Sequence, residues 1–174
     1  MGVLFTKDKT VATDSFRLLE ITTPSGMKPE DFPIVSDATA LKECQPFIVP
    51  AKSLREIKIP KSKTLPIMEN VAIKKLDKEQ VEFLTTDLET AKITTARIIN
   101  GKFPDYEKIF PCDKPIAEIL VNGKFLSELL TIMAKLNNLQ QEVKIKIYGK
   151  DKPMVLEASN KNQKARGMLM PIKK

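Results

Sequence analysis

Hydrophobic and polar residues alternate over several stretches of this chain, which is typical of antiparallel strands with one buried and one solvated face. Val81 and Phe83 occupy every second position, and the run 143–147 alternates apolar residues with lysine. Polar turns such as 7–9 and 77–79 separate successive runs. The pattern therefore predicts short antiparallel strands joined by tight turns.

Two segments show helical spacing instead. The segment 51–57 follows Pro50 and places Leu54 and Ile57 on one face, which predicts a short helix. The segment 124–136 has apolar residues at i, i+3, i+4 and i+7, which predicts a longer amphipathic helix after a strand at 118–121. These four residues are Leu126, Leu129, Leu130 and Met133.

The order strand, helix, strands occurs twice at a fixed spacing. Similar residues recur 72 positions apart in the pairs Ile48 and Leu120, Lys52 and Lys124, Leu54 and Leu126, Glu56 and Glu128, Val71 and Val143, and Ile73 and Ile145. This period predicts two copies of one unit, with chance coincidence of common residue types as the alternative. Thr86-Asp87 also repeats Thr13-Asp14, so the opening segment 1–25 is predicted to be a third copy without its first strand and helix.

The most distinctive turn spans residues 101–106. Gly101 permits a positive φ, Pro104 removes an amide donor, and Phe103 and Tyr106 flank that proline. This composition predicts a shaped connector between two sheets. Phe103 and Tyr106 are expected to fill a core there, whether or not the segment also binds a ligand.

The net charge is +7, from 29 Lys and Arg against 22 Asp and Glu, which favours a polyanionic partner such as nucleic acid. Lysines also lie along the strand-like runs, as on any solvated sheet face, so charge alone does not identify that partner. The chain has no histidine, glycine-rich phosphate loop or nucleophile elbow. We therefore predict no catalytic residues, and we expect Asp14, Asp87 and Asp105 to cap turns.

The two cysteines, Cys44 and Cys112, lie far apart with no second thiol nearby. This arrangement predicts neither a disulfide framework nor a metal site, and no cofactor is expected. The start of the chain has no charged leader followed by a long apolar run, and no stretch approaches the roughly 18 apolar residues of a membrane span. The sequence therefore predicts a cytoplasmic protein that does not enter the membrane.

Four motifs closely resemble the bacterial sliding clamp, the β subunit of the replicative DNA polymerase III, and they occur in that family's order. They are Val11-Ala12-Thr13-Asp14-Ser15-Phe16-Arg17-Leu18, Ile48-Val49-Pro50-Ala51-Lys52, Gly101-Lys102-Phe103-Pro104-Asp105-Tyr106 and Met168-Leu169-Met170-Pro171-Ile172-Lys173. The resemblance covers most of the chain outside residues 25–45. It implies an α+β sliding-clamp fold of repeated strand-helix-strands half-units, with antiparallel sheets outside and helices inside.

The resemblance also implies a shortened clamp, because a bacterial clamp protomer resembles six half-units in three domains. Residues 1–111 resemble the family's middle domain without its opening strand and helix. Residues 112–174 resemble the closing half of its last domain. The segments 64–67 and 86–89 resemble the first domain as well, which leaves the assignment of half-units open.

In the family, helices face duplex DNA inside a ring of protomers, and a cleft binds short peptides of polymerases and clamp-loader subunits. The resemblance places exposed cations of this chain toward DNA, without sequence preference: Lys52, Arg55, Lys58, Lys124 and Lys135. It assigns a peptide-binding cleft to Thr13, Ser15, Phe16, Arg17, Leu18, Pro104, Lys108, Ile109, Met168, Leu169, Met170, Pro171 and Ile172.

Two alternatives stay open at this point. The cleft residues could simply close the core between half-units, and the five cations could be ordinary exposed side chains. The protein could also be a clamp-like peptide-binding module or fragment that does not encircle DNA and competes for clamp ligands. Head-to-tail closure of a homo-oligomeric ring needs a fixed rotation between matching edges, so whether this chain closes a ring is left open.

Overall fold

The computed structural model describes residues 2–23, 32, 45–61, 65–136 and 141–173. The chain divides into two compact units, residues 1–109 (unit 1) and 110–174 (unit 2). This division lies close to the boundary between 111 and 112 that the sequence predicts. Which clamp domain each unit corresponds to stays a prediction.

The described part of unit 1 contains two antiparallel sheets. The first has the order β3-β2-β1-β4, and its strands are β1 Gly2–Phe5, β2 Lys9–Thr13, β3 Leu18–Thr22 and β4 Phe47–Pro50. The second has the order β5-β6-β7, with β5 Ala72–Lys75, β6 Gln80–Thr86 and β7 Ala91–Arg97. A 3-10 turn, Pro66–Glu69, precedes β5.

The two sheets of unit 1 share one core. Phe47 and Val49 of β4 cluster with Val81 and Phe83 of β6, and each of these side chains is almost fully buried. The backbone N–H of Ile99, just after β7, donates to the carbonyl of Ile48 in β4 at 2.8 Å. Strand β4 thus joins the two sheets.

The first helix, α1, spans only Ala51–Leu54, so the predicted helix over 51–57 was too long. The N–H groups of Arg55 and Ile57 donate to carbonyls three residues back, at 3.2 Å each. Such bonds belong to a 3-10 turn rather than an α-helix, so the helix tightens and ends. Leu54 and Ile57 still pack against the unit 1 core, as their spacing predicts.

The described part of unit 2 contains the helix α2 and one sheet of order β10-β9-β8. Helix α2 spans Gly123–Leu136, and the strands are β8 Lys144–Lys146, β9 Met154–Ser159 and β10 Lys164–Leu169. The side-chain oxygen of Asn122 accepts hydrogen bonds from the N–H groups of Lys124 and Phe125, which caps the helix start. The predicted helix at 124–136 is confirmed.

The apolar face of α2 lies directly on the sheet. Met133 joins Met154, Leu156 and Leu169 in a buried core, with Leu129 packed against it. A Cβ atom at Gly167 would lie 2.6 Å from Cε of Met133, so the helix approaches the backbone of β10 closely there. The spacing of apolar residues along α2 therefore correctly predicted its buried face.

The predicted strand at 118–121 does not form. Within the described part of unit 2, this segment makes one backbone hydrogen bond to another segment, from the N–H of Ile172 to the carbonyl of Leu120 at 2.8 Å. A strand needs a ladder of such bonds, and the alternation of side chains does not supply one.

The internal repeat is confirmed by strand register. Each copy contains three antiparallel strands, and the pairs next to the second turn are Thr13 with Leu18, Thr86 with Ala91, and Ser159 with Lys164. Positions 13, 86 and 159 are evenly spaced along the chain. The partial copy predicted in the segment 1–25 is therefore present, as β1, β2 and β3.

The offset between the copies increases by one position within a single turn. Ile73 pairs with Phe83, whereas Ile145 pairs with Leu156. The connection between the first two strands of unit 2 is therefore one residue longer than its counterpart in β5 and β6. Positions before this turn keep the offset seen in the sequence, and positions after it are shifted by one.

The turn after the second strand is built in the same way in all three copies. Oδ1 of Asp87 accepts hydrogen bonds from the N–H groups of Glu89 and Thr90, at 3.1 and 2.6 Å. Oδ1 of Asn160 accepts from the N–H groups two and three residues later at 2.9 and 2.7 Å. Asp14 makes the same pair of bonds at 3.1 and 2.7 Å. These Asx turns confirm the capping role predicted for Asp14 and Asp87.

We expect Asp87→Ala to lower the urea midpoint of unfolding, because the N–H groups of Glu89 and Thr90 lose their acceptor. Asp87→Asn is the matched control. It keeps an oxygen at Oδ1, and Asn160 already makes the same bonds in the third copy. The control should unfold nearer to the wild-type midpoint than the alanine variant. Equal loss in both variants would show that the acceptor geometry is not what stabilises this turn.

Candidate functional site

The turn between β2 and β3 presents a large aromatic side chain to solvent. The hydroxyl of Thr13 donates to the carbonyl of Arg17 at 2.8 Å, and Ser15 has a positive φ of 73°. Between them, the side chain of Phe16 is 94% exposed. The turn is therefore held by its own hydrogen bonds while Phe16 makes little contact with the rest of unit 1.

An ion pair stiffens this turn. Nε and Nη2 of Arg17 donate to Oδ2 of Asp14 at 2.8 and 2.5 Å. The pKa of Asp14 is lowered, first by the Arg17 side chain and then by the N–H groups of Arg17 and Phe16. Because the folded pKa lies below the unfolded one, this contribution to stability is present above the unfolded pKa and is lost as the pH falls through the folded pKa.

The segment after Pro104 forms a 3-10 turn, Tyr106–Ile109, that packs on the first sheet of unit 1. Nζ of Lys9 lies 3.3 Å from Glu20 of β3 and 4.0 Å from Glu107 of this turn. Tyr106 is buried, and its pKa is raised first by that burial and next by the charge of Glu20. The prediction that Tyr106 fills a core is therefore confirmed.

The 3-10 turn Tyr106–Ile109 lies on the face of that sheet to which Glu20 of β3 points. Thr13 pairs with Leu18, and Glu20 lies two residues further along β3. Side chains two residues apart in a strand point to the same face, so Leu18 shares its face with Glu20, beside Tyr106. Leu18 of the predicted cleft therefore lies on the same face of the sheet as this 3-10 turn, and the assembly of the whole cleft stays a prediction.

Ile109 and two basic residues of the predicted cleft, Arg17 and Lys108, are exposed in unit 1. The side chain of Ile109 is 65% exposed at the end of the 3-10 turn. Nζ of Lys108 lies 2.5 Å from Asp105, as Arg17 lies beside Asp14. Both basic groups therefore already have partners within unit 1, although they lie at the surface, where such pairs are weak.

The part of the predicted cleft in unit 2 alternates between surface and core. Met168, Met170 and Ile172 are about half exposed or more, whereas Leu169 is buried in the unit 2 core. Pro171 is half-buried. Leu169 turns its side chain to the core because neighbouring residues of β10 face opposite sides of the sheet, and its assignment to the cleft stays a prediction. Whether the residues of unit 1 and unit 2 form one cleft stays a prediction.

The five cations predicted to face DNA all have exposed side chains. Lys52 lies on α1, Arg55 and Lys58 follow it, and Lys124 and Lys135 lie at the two ends of α2. Eleven residues make about three helical turns, so the two lysines of α2 share a face roughly 16 Å apart. Among the residues that the structure describes, none of the five forms an ion pair.

The cluster of Lys9, Glu20, Tyr106 and Glu107 is a feature that sequence reasoning missed. Its members lie far apart in the chain, and no local pattern signals their contact.

No helix in the described ranges is long and apolar enough to cross a membrane. Within the same ranges, no group of three or more cysteine or acidic side chains is placed to hold a metal ion.

Comparisons with known proteins identify the fold. No family model matches the chain, and no curated protein matches it. Among solved structures, the DNA polymerase sliding clamp of Pseudomonas aeruginosa superposes with a TM-score of 0.65 at 20% identity, over 98% of this chain and 42% of the clamp. The DNA polymerase III β subunit of Borrelia burgdorferi gives 0.64 at 18% identity, over 97% and 40% of the two chains.

A third clamp, from Bartonella birtlesii, gives a TM-score of 0.62 at 20% identity, over 99% of this chain and 45% of its own. The chain thus spans less than half the length of the clamps that it matches. Identities at this level establish the fold and leave the activity to be tested. The resemblance carried by the four sequence motifs is confirmed, and this chain has the α+β fold of the bacterial DNA polymerase sliding clamp over about two fifths of a clamp's length.

Proposed function

We propose that this protein is a clamp-type processivity factor of the cytoplasm, which tethers replication proteins to duplex DNA through a peptide-binding cleft. The observation that carries the proposal is the exposed apolar surface at the clamp motifs. Phe16 and Ile109 in unit 1, and Met168 and Met170 in unit 2, are each more than half exposed. Polymerases and clamp-loader subunits are the proposed partners, and no catalytic step is assigned to the chain.

The chemistry of this surface suits short, partly apolar peptides. Methionine side chains are flexible and polarisable, so Met168 and Met170 can repack around different ligands. Leu18 and Ile109 offer aliphatic contacts for such a ligand. Arg17 and Lys108 are exposed, and each can exchange its aspartate partner for a carbonyl or an acidic group of a ligand.

Calorimetric titration of the folded protein with a Gln-Leu-rich clamp-binding peptide tests this proposal. We expect saturable binding of one peptide per chain. Griselimycin, with which a Pseudomonas aeruginosa clamp was solved, is a second probe that should compete with the peptide. A protein that binds neither probe at high micromolar concentration would remove peptide docking from the proposed function.

We expect binding to duplex DNA to be independent of sequence and steeply dependent on salt. If two phosphates are neutralised, affinity should fall about tenfold between 50 and 200 mM salt. Two unrelated duplexes, titrated at both salt concentrations, should bind alike at each. Lys52→Gln combined with Lys124→Gln should weaken both duplexes equally and flatten the salt dependence. Tight binding of one duplex at the higher salt would contradict this prediction.

A second candidate is a clamp-like module that binds the same peptides without encircling DNA. It would need only the exposed apolar side chains at the clamp motifs, such as Phe16 and Met168. Light scattering at several concentrations tests the ring, because a closed ring of this chain requires an oligomer and a monomer would exclude it. A monomer that binds the peptide would favour the competitor.

A further inference from the structure

Unit 2 contains a counterpart of strand β4 that has no strand partner. Residues 119–122 lie 72 positions after β4, and a helix follows directly in both cases. The bond from the N–H of Ile99 to the carbonyl of Ile48 recurs as the bond from Ile172 to Leu120, and both measure 2.8 Å. Residues 119–122 therefore hold the position of β4 on one side, and their other side is open within the described part of unit 2.

In unit 1 that other side pairs with the first strand of a different copy. Strand β4 pairs antiparallel with β1, with Val49 opposite Val3 and Ile48 opposite Leu4. The strand of unit 2 that corresponds to β1 is β8, which forms an edge of its sheet. Unit 2 thus carries both halves of this pairing, and neither half is used within its described residues.

Side chains that are buried by this pairing in unit 1 are more exposed at the equivalent positions of unit 2. Ile48 in β4 is 8% exposed, whereas its counterpart Leu120 is 46% exposed. Val49 is fully buried, whereas its counterpart Val121 is only half-buried. Ile145, next to the open edge of β8, is 49% exposed. Positions that a second half-unit covers in unit 1 therefore face solvent in unit 2.

We propose that two copies of this chain associate through unit 2 about a twofold axis, so that each completes the sheet of the other. Residues 119–122 of one copy pair antiparallel with residues 142–145 of its partner, and the reverse pairing forms at the same time. The alignment follows from the register between β1 and β4 in unit 1. Each position in that register is replaced by its counterpart in unit 2, using the offsets between the copies. Val121 lies opposite the partner's Val143, and Leu120 lies opposite the partner's Lys144.

A second copy is the occupant that fits both open edges together. The partner must offer a strand equivalent to β1 to residues 119–122, and a segment equivalent to β4 to β8. Unit 2 of a second copy has both, as its β8 and its residues 119–122. A twofold contact requires a self-complementary surface of this kind. The proposed register also places no like charges opposite each other, because Leu120 and Asn122 face the partner's Lys144 and the partner's Glu142. The inference does not depend on peptide docking.

Disulfide trapping tests the register in the full chain. Val121→Cys and Val143→Cys are introduced together, with Cys44→Ser and Cys112→Ser removing the native thiols. Within one copy, residues 119–122 lie beside the segment that follows β10, and β9 lies between β10 and β8, so at least three strand spacings, roughly 14 Å, separate the two positions, which no disulfide spans. Oxidation of the folded protein should therefore give a covalent dimer that reductant reverses.

The matched control combines Val121→Cys with Ile147→Cys on the same background. Ile147 lies four residues beyond Val143, so its Cβ is displaced by roughly 13 Å along the strand. This variant should form few dimers under the same oxidation. Equal yields from both variants, or no dimer from the first, would overturn the proposed pairing.

A charge exchange tests the interface without crosslinking. Leu120→Lys places a lysine opposite the partner's Lys144 twice per dimer, and we expect the dissociation constant to rise about tenfold in sedimentation experiments. Adding Lys144→Glu should restore the wild-type value, because opposite charges then face each other. Both positions are exposed, so the fold should be kept. An unchanged dissociation constant in Leu120→Lys, or no recovery in the double variant, would contradict the proposal.

Discussion

Replacing Ile109 by aspartate is expected to abolish binding of a Gln-Leu-rich clamp-binding peptide. The Ile109 side chain is 65% exposed at the end of the 3-10 turn Tyr106–Ile109, so unit 1 should fold normally with the new residue. In the complex, however, the carboxylate would lie unpaired against the apolar anchors of the ligand. That burial costs roughly 2–4 kcal/mol, which weakens binding at least about thirtyfold.

Ile132→Asp is the matched control for this substitution. Ile132 lies on α2, outside the proposed cleft, and its side chain is 66% exposed. The two variants therefore make the same chemical change at equal exposure. Calorimetry should show unchanged peptide affinity for Ile132→Asp and none measurable for Ile109→Asp. Equal affinity in both variants would exclude Ile109 from the docking surface.

Leu156→Ala should cost unit 2 roughly 2–5 kcal/mol of its free energy of unfolding. Leu156 is fully buried in the core where α2 packs on the sheet, in contact with the cluster of Met133 and Met154. Truncation leaves a cavity that these neighbours fill only in part. Urea unfolding followed by circular dichroism measures the loss.

Met168→Ala provides the comparison, because it removes a side chain of similar size from the same sheet. Met168 lies next to Gly167, which pairs with Leu156, and it faces the opposite side of the sheet with 61% of its side chain exposed. We expect this change to cost less than about 1 kcal/mol. A comparable loss in both variants would show that Leu156 is not central to this core.

The parts of the fold that local pattern determines were predictable from sequence. Helix α2 has an apolar stripe along its length, and the Asx turns at Asp14 and Asp87 depend only on residue type at one position. The predicted strand at 118–121 does not form, because a strand also needs a hydrogen-bonded partner strand, which the local pattern does not specify. The predicted C-terminal end of helix α1 was wrong, because an apolar face of only two residues does not distinguish an α-helical turn from a 3-10 turn.

The candidate site was predictable only where a motif marks it. Alternation along β10 already indicates from the sequence that Leu169 faces away from Met168 and Met170, as the structure shows. The contact of Lys9 with Glu20 and Glu107 joins three separate segments of unit 1. Such contacts follow from the packed fold, and no pattern within one segment specifies them.

The burial of Tyr106 also makes the chain convenient for spectroscopy. The protein has no tryptophan and only two tyrosines, and these lie in different units. Tyr106 in unit 1 is 8% exposed, and Tyr148 in unit 2 is 58% exposed. In a Tyr148→Phe protein, tyrosine absorbance and emission would come from Tyr106 alone, so the opening of unit 1 can be followed optically without any attached dye.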